Sequence, residues 1–287
     1  MMKRFAKLVA VAAGLLSAAA AIAAPAPSAV AAPATADKLW RLDCGIVHVN
    51  MLNAFSDTRS YPGQSRDLVA SCYLVKHGTS YLLWDTGLPL AVKNTPNDVA
   101  KPMSPTLRLS IVEQLATIGV KPGQVSLVGI SHYHFDHIGQ AASFAQARLL
   151  IGQGDYDSLK MGSNGADAKP LAPWFGGGAA VEGVSGDKDV FGDGSVTMID
   201  LPGHTPGHHG LLINLAHTGP VLLSGDVAHF RENLDMGGVP GFNFNRADSL
   251  ASMDRFRKLA ASLKAVAIIQ HDPRDVAKLP AFPAAAD

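Results

Sequence analysis

The sequence contains, at residues 131–139, the stretch Ser-His-Tyr-His-Phe-Asp-His-Ile-Gly, which places three imidazoles and a carboxylate within six consecutive residues. The apolar run before it, residues 125–130, predicts a short strand. Residues 138–146 after it can form a helix. The cluster therefore lies at a strand-to-helix junction.

The spacing of these four polar side chains predicts two metal-binding positions. Residues two apart on extended backbone point the same way, so His132 and His134 can bind one metal ion together. Asp136 and His137, at the turn, can then face a second ion. Imidazole and carboxylate ligands suit zinc and its first-row neighbours. The alternative is a chance cluster of histidines on a surface loop.

Further residues of ligand type follow later predicted strands. They are His204 after residues 196–201, Asp226 after residues 221–223 and His271 after residues 266–270. Taken alone, Asp226 is typical of an ordinary turn, and His271 could be a core histidine. Together with His132 and His134, they are what an active site along one edge of a sheet would contain.

Three polar residues near these ligands are given other roles. Asp85 follows a predicted strand, residues 81–84, and either orients a ligand histidine or bonds its own turn. His208 and His209 lie further from a strand end than His204, so we predict that both are structural.

The N-terminal residues match a secretory signal peptide. Lys3 and Arg4 precede an apolar run that ends in small residues, which predicts a signal peptide at residues 1–23. The Ala/Pro-rich residues 24–38 predict a flexible segment. We expect a periplasmic or secreted protein with no membrane contact once the signal is removed; an uncleaved anchor is the alternative.

The remaining residues, 39–287, suit one domain with a sizeable core. The formal net charge is zero and no basic run occurs, so no electrostatic basis exists for binding nucleic acid. Cys44 and Cys72 are too few for a finger-type zinc site. They either form a disulfide or remain buried thiols.

The ordered set of ligand-type residues resembles the metallo-β-lactamase superfamily and, within it, the N-acyl-homoserine lactonases. The resemblance rests on Asp85-Thr86-Gly87, His132-x-His134-x-Asp136-His137, residues 202–208, Asp226, His271-Asp272, Cys72-Tyr73-Leu74 and the loop containing Met51. It implies an α/β fold built as a four-layer αβ/βα sandwich. It also implies a dinuclear site for two divalent metal ions, expected to be zinc.

The resemblance further implies a role for each site residue. One ion would be held by His132, His134 and His204, the other by Asp136, His137 and His271, with Asp226 bridging them. Asp226 argues against β-lactam cleavage, because the β-lactamases of the superfamily usually lack this aspartate. Asp136 is also expected to pass a proton to the leaving group. His229 replaces a tyrosine that helps to hold the substrate in the lactonases; it is either a substitute hydrogen-bond donor, a mark of a different substrate, or structural.

The expected activity is hydrolysis of the ester bond of N-acyl-homoserine lactones, which would make the chain a quorum-quenching hydrolase. Met51, Leu52, Phe55 and Phe135 are candidates to line an apolar pocket for the acyl chain, with core packing as the alternative for each. Two other functions stay open: a phosphotriester or aryl-ester hydrolase on the same centre, and a metal-binding protein without turnover. A small lactone is the expected partner, and homodimer formation is left open.

Overall fold

The computed structural model describes residues 34–287, which contain two β-sheets and the helices that cover them. The strands are β1 (Lys38–Val49), β2 (Arg66–His77), β3 (Ser80–Trp84), β4 (Met103–Thr106), β5 (Val125–Ile130), β6 (Arg148–Gly152), β7 (Val181–Val184), β8 (Lys188–Asp189), β9 (Val196–Asp200), β10 (His209–Leu215), β11 (Gly219–Leu223) and β12 (Val266–Ile268). The α-helices are α1 (Ile111–Thr117), α2 (Phe135–Ile138), α3 (Gln153–Met161), α4 (Ala172–Phe175), α5 (Arg231–Met236), α6 (Arg246–Leu263) and α7 (Pro273–Val276).

The strands form one sheet of seven and one of five. The first has the order β4-β1-β2-β3-β5-β6-β7, and the second has the order β12-β11-β10-β9-β8. In the first sheet, β3, β5, β6 and β7 are parallel neighbours and the other pairs are antiparallel. In the second sheet only β11 and β12 are a parallel pair.

Side-chain alternation along the central strands divides the core into layers. Between the sheets lie, among others, Tyr73, Val75, Leu82 and Trp84 of the first sheet and Leu211, Ile213, Val221 and Leu223 of the second. Helix α1 contributes Ile111 and Leu115 to a second cluster on the outer face of the first sheet. Met253 and Phe256 of α6 do the same for the second sheet. The result is the expected α/β sandwich of four layers.

The helices α1 and α6, which cover the outer faces of the two sheets, each begin at a side-chain N-cap. Helix α1 starts with a capping box, in which the Ser110 hydroxyl accepts from the Glu113 N–H and the Glu113 carboxylate accepts from the Ser110 N–H. Helix α6 starts at Asn245, whose side chain accepts from the N–H groups of residues 247 and 248. These local interactions fix where each helix begins against its sheet.

The folded part of the chain begins earlier than the predicted boundary at Leu39. Ala36 is buried, and its N–H donates to the carbonyl of Asn214 at 2.8 Å. Alanine and proline in this segment show no periodicity, so the sequence did not reveal the contact. The predicted signal peptide, residues 1–23, lies outside the described residues. Within residues 34–287, no helix is both long and apolar enough to cross a bilayer.

Short elements occur between the main strands, and the helix predicted over residues 138–146 does not form as one α-helix. The strand β4 pairs with β1 at the sheet edge, where Pro105 is tolerated. The Gly-rich residues 162–186 contain α4 and β7, and the indole N–H of Trp174 donates to Ala147 O at 2.7 Å. The predicted helix over residues 138–146 was wrong: α2 ends at Ile138, the Gly139 N–H donates to Gly87 O at 2.8 Å, and Ala141–Phe144 form a 3₁₀ helix.

Cys44 on β1 and Cys72 on β2 form a disulfide, with their Cα atoms 5.9 Å apart. The two strands are antiparallel neighbours, and an irregularity in their register occurs between Asp43 and Ile46. Both cysteines are fully buried. The sequence had left pairing and free thiols open, because a buried strand position is equally compatible with either.

Replacing Cys44 and Cys72 together by alanine is expected to lower the free energy of unfolding by about 3–4 kcal/mol. The bond spans a sequence separation of 28, and opening a loop of that size restores chain entropy to the unfolded state. Urea denaturation of the oxidised protein and of the double variant measures the difference. Equal unfolding midpoints under oxidising conditions would contradict the expectation.

Candidate metal centre

The predicted ligands follow strands whose carboxyl ends meet at one edge of the sandwich. β5, β9, β11 and β12 end shortly before His132, His204, Asp226 and His271 respectively. Because β11 and β12 are parallel, Asp226 and His271 leave the second sheet on the same side. The seven predicted ligands lie in two groups, His132, His134, His204 and Asp226, and Asp136, His137 and His271, with ligand atoms within 4.8 Å of one another in each group.

In the first group, the ligand atoms surround one small space. His134 Nδ1 lies 3.0 Å from His132 Nε2 and 2.9 Å from His204 Nε2. Asp226 Oδ2 lies 3.6 Å from His132 Nε2 and 3.4 Å from His204 Nε2. Four donor atoms therefore face one another across distances that leave room for a single ion.

The second group is built in the same way and shares the carboxylate of Asp226. His137 Nε2 lies 3.2 Å from His271 Nε2. Asp136 Oδ2 lies 3.8 Å from His137 Nε2 and 3.6 Å from His271 Nε2. Asp226 Oδ1 lies 3.3 Å and 3.0 Å from the same two nitrogens. Asp226 thus directs one oxygen to each group.

Hydrogen bonds on the far side of three rings fix which nitrogen carries the proton. The Nδ1–H of His204 donates to Asn243 Oδ1 at 2.8 Å, and that of His271 donates to Val69 O at 2.8 Å. The Nδ1–H of His137 donates to Asp85 Oδ2 at 2.8 Å. Each Nε2 then presents a lone pair to the cluster, as a metal ligand requires.

Burial keeps the imidazoles of the first group unprotonated. It lowers the pKa of His132 and His204 well below the usual value, and it lowers the pKa of His134 to about 4. The charged form of an imidazole is disfavoured in an apolar interior, whereas the neutral form can bind a cation. These three side chains are therefore available as neutral nitrogen ligands near pH 7.

The second group attracts positive charge more strongly. Burial acts to lower the pKa of His137 and His271, but the neighbouring carboxylates, Asp226 first among them, together outweigh it and raise the pKa of both. Burial likewise opposes ionisation of Asp226, yet the imidazoles of His271 and His137 hold its pKa well below the usual range. Asp226 is therefore an ionised carboxylate at the centre of the cluster.

The donor set fits two divalent cations. Ligands bound at about 2.0–2.2 Å from one ion are themselves about 3–3.5 Å apart, close to the 2.9–3.8 Å found here. Asp226 Oδ1 is buried and has no hydrogen-bond donor among the residues described. A buried carboxylate oxygen without a partner is costly unless a cation satisfies it.

Asp85 orients His137 and does not merely bond its own turn. Its two oxygens accept from the N–H and the hydroxyl of Ser131, at 2.7 and 2.9 Å, as well as from His137. The amide of Gln270 donates to Asp85 Oδ2 at 3.0 Å, which connects the two sheets beneath the ligands. Of the two alternatives left by the sequence, orientation of a ligand histidine is the one observed.

A buried aspartate holds the loop that carries His204. Asp155 accepts from the Gly207 N–H at 2.7 Å and from the Thr205 hydroxyl at 2.8 Å, and burial raises its pKa to about 7. Gly207 also lies so close to Gly152 that a side chain at either position would collide with the other backbone. Asp155 and Asn243 had no recognisable sequence pattern, because their partners lie some 40 to 50 residues away.

His208 and His209 bind backbone groups rather than the metal cluster, in agreement with the structural role predicted for both. The Nδ1–H of His208 donates to Leu201 O at 2.8 Å, and burial lowers the pKa of His208 to about 3. The ring nitrogens of His209 lie 2.7 Å from Gly207 O and 3.1 Å from Gly186 O.

His229 lies beside the cluster. Its Nε2 is 3.1 Å from Asp226 Oδ2, and its ring stacks on that of His271 with centroids 5.7 Å apart. Nδ1 is buried and has no hydrogen-bond partner within residues 34–287. The ring also meets Phe55 edge-on at 4.8 Å. This location permits contact with a bound molecule, and a catalytic role for His229 stays a prediction.

A cavity of about 210 Å³ opens directly on the cluster. Its polar end is formed by His134, Asp136, Asp226, His229 and His271, and its walls are formed by Val47, Phe55, Leu68, Met103, Phe135 and Phe242. Met103, Phe135 and Phe242 are 45%, 41% and 47% exposed, so the apolar wall continues to the mouth. The cavity therefore combines a charged end with an apolar channel.

The prediction that Met51 and Leu52 line this cavity was wrong. Leu52 is fully buried and packs in the core on the outer side of the first sheet, whereas Met51 is 58% exposed. The walls come instead from Val47 and Leu68 on neighbouring strands, together with Phe55. Strand alternation made Val47 and Leu68 indistinguishable from ordinary core residues.

A larger cleft, of about 630 Å³, lies away from the cluster. It is bounded by Arg41, Asp43, Arg108 and Gln114 and by residues 281–283 near the C-terminus. None of the seven predicted ligands lines it. Size alone therefore does not identify the reactive site, and the chemistry of the smaller cavity does.

A comparison of the sequence with protein-family models agrees with the fold and the ligand cluster. Residues 65–271 match the model of the metallo-beta-lactamase superfamily. This range includes all seven predicted ligands and covers more than half of the chain. The chain belongs to this superfamily.

Individual relatives within it are moderately similar. The chain is 27% identical over 233 residues to the N-acyl homoserine lactonase AttM of Azorhizobium caulinodans, covering 74% of this chain and 84% of that one. It is 26% identical over 249 residues to the N-acyl homoserine lactonase AiiA of Bacillus thuringiensis subsp. kurstaki, covering 84% and 94%.

Solved structures share the fold at lower identity. An N-acyl homoserine lactone hydrolase with N-hexanoyl-L-homoserine bound at its metal centre superposes with a TM-score of 0.74, at 23% identity, covering 88% of this chain and 100% of that one. AidC, described as a dizinc quorum-quenching lactonase, has a TM-score of 0.61 at 18% identity, covering 88% of this chain and 92% of that one. These matches establish the common fold.

Proposed function

We propose that this chain is a dinuclear zinc hydrolase that opens the ester ring of N-acyl-homoserine lactones. The observation that carries the proposal is the shared carboxylate of Asp226, which directs one oxygen to each of two ligand groups at the polar end of an apolar cavity. The names of the curated relatives support the choice of substrate. The shared fold supports the same arrangement of strand ends.

The chain would hold one ion through His132, His134 and His204 and the other through Asp136, His137 and His271, with Asp226 between them. Bound there, two zinc ions would supply a water of lowered pKa and a Lewis acid for the ester carbonyl. Asp136 is the residue placed to move protons: it lines the cavity, and its side chain is 13% exposed. As the attacking water bonds to the ester carbonyl carbon it gives up a proton, and we assign to Asp136 the transfer of that proton to the alkoxide oxygen released when the lactone C–O bond breaks.

The apolar channel would take the acyl chain. Phe55, Leu68 and Val47 form the inner wall, and Met103 and Phe242 continue it towards the mouth. Burying a methylene group against such a wall contributes about 0.8 kcal/mol. A lactone with a long acyl chain should therefore bind more tightly than one with a short chain, whereas the polar end selects the ring.

The purified mature protein loaded with zinc is expected to release acid from N-decanoyl-homoserine lactone, and His132→Ala is expected to abolish this. His132 is fully buried in the first ligand group, so its loss removes one of the four donor atoms of that group. His217→Ala is the matched control, because the His217 side chain is 82% exposed and lies outside both groups. A pH-stat measures turnover.

Acid release by the unchanged protein from a chromogenic phosphotriester alone, and from no lactone, would contradict the proposed substrate. Equal turnover by His132→Ala and the unchanged protein would contradict the assigned site.

Met103→Ala is expected to lower kcat/KM for the decanoyl substrate by roughly fivefold, corresponding to about 1 kcal/mol of lost apolar contact, with little effect on the butanoyl substrate. Met103 lines the channel on β4, away from the ligands. Met161→Ala, at a position 71% exposed on α3, is the matched control. An equal decrease in kcat/KM for the decanoyl and butanoyl substrates would show that the acyl chain does not bind against Met103.

We also propose that the chain is exported to the periplasm or beyond. The composition of residues 1–23 supports this, and so does the Cys44–Cys72 disulfide, because such bonds persist in oxidising compartments. Mass spectrometry of the protein recovered from a periplasmic fraction should show an N-terminus after residue 23. Recovery of the intact chain from the cytoplasm alone would argue against export.

A further inference from the structure

His208 uses both ring nitrogens, and one of them holds the residue shared by the two ligand groups. Its Nδ1–H donates to Leu201 O at 2.8 Å, so its Nε2 carries a lone pair. That lone pair accepts the backbone N–H of Asp226 at 2.7 Å. His208 is completely buried, so water does not compete for either bond. One tautomer satisfies both partners, and it joins the end of β9 to the turn after β11.

The turn that carries Asp226 is built around this ring. Gly225 has a φ of 53°, and a Cβ atom on it would collide with His208 Nε2. The ring also lies against two ligands, with its centroid 5.4 Å from that of His132 and 5.9 Å from that of His204. His208 therefore contacts three of the four members of the first group, although it offers no atom to an ion.

We infer that His208 is a positioning residue that sets the affinity of the centre for metal by fixing the backbone of Asp226. The inference rests on the proposed metal-dependent function. A bridging carboxylate must keep both oxygens in place, and a rotation of its backbone would move both at once. Groups that orient metal ligands typically change metal affinity by about 10–100-fold when they are removed.

Two substitutions separate the hydrogen bond to Asp226 from the bond to Leu201. In His208→Gln, the amide oxygen reaches the position of Nε2 and can accept the Asp226 N–H. In His208→Asn, the shorter amide reaches only the position of Nδ1, which serves Leu201 and leaves the Asp226 N–H unpaired. We expect His208→Asn to weaken zinc binding by about 10–100-fold and His208→Gln to retain most of the affinity.

His209→Asn is the matched control. His209 is the next residue, is equally buried and bonds backbone carbonyls, but it makes no hydrogen bond to a ligand residue. Zinc affinity is measured by competition with a chromophoric chelator in the absence of any lactone, and thermal unfolding of chelator-treated samples reports the stability of each variant. His209→Asn should bind zinc like the unchanged protein.

The inference is overturned if His208→Asn binds zinc normally, if His208→Gln loses as much affinity as His208→Asn, or if His209→Asn loses as much as either. Should His208→Asn fail to fold, Gly225→Ala takes its place, because the added methyl group must separate the ring from Asp226. Normal zinc binding by Gly225→Ala would overturn the inference. Lactone turnover by the unchanged protein is measured in a separate experiment. If no lactone is hydrolysed, the zinc affinities of the variants still test the role of His208.

Discussion

The metal centre requires that unprotonated imidazole nitrogens and ionised carboxylates lie buried together and face the centres of the two ligand groups. Buried polar atoms are costly unless each has a partner, and like groups at about 3 Å repel or compete for protons. The chain meets this requirement from outside the cluster. Asn243, Val69 and Asp85 each accept the outward proton of one imidazole, which leaves the inward nitrogens free.

The sandwich is what makes such a cluster attainable. His132 and His137 leave the first sheet, whereas Asp226 and His271 leave the second, and the sheets share an apolar core cluster. Interactions beneath the cluster then tie the two sheets together, since Gln270 donates to Asp85. A shift of one sheet against the other would separate the ligands that come from different sheets. The packing of the core therefore also fixes the geometry of the site.

The parts of the site predicted from sequence were those with a short-range pattern. The cluster in residues 131–139 shows its ligands by spacing, and His204, Asp226 and His271 each follow an apolar strand. The cavity-lining residues were predicted less well, because which side chains line the cavity depends on contacts between distant parts of the chain. Leu52 and Val47 are both buried apolar residues, and only the packed fold shows that Val47 borders the cavity whereas Leu52 does not.

The same limit explains the other errors. The boundary at Leu39 was set too late because the Ala36 N–H donates to the carbonyl of Asn214, far along the chain. The sequence did not decide between a disulfide and free thiols for the same reason, since pairing depends on the register of two strands. The fold class was expected from the family resemblance of the ordered ligand set, which depends on short motifs that the sequence shows directly.

The walls of the cavity and the ligands at its floor come from largely separate stretches of the chain. Val47, Phe55, Leu68 and Met103 all precede His132, the first predicted ligand. Mutation can therefore reshape the room for a substrate without disturbing the groups that would act on it. In a scaffold divided in this way, new ester preferences can arise by drift in the strands and loops that precede the ligand stretch, while the reactive machinery is inherited intact.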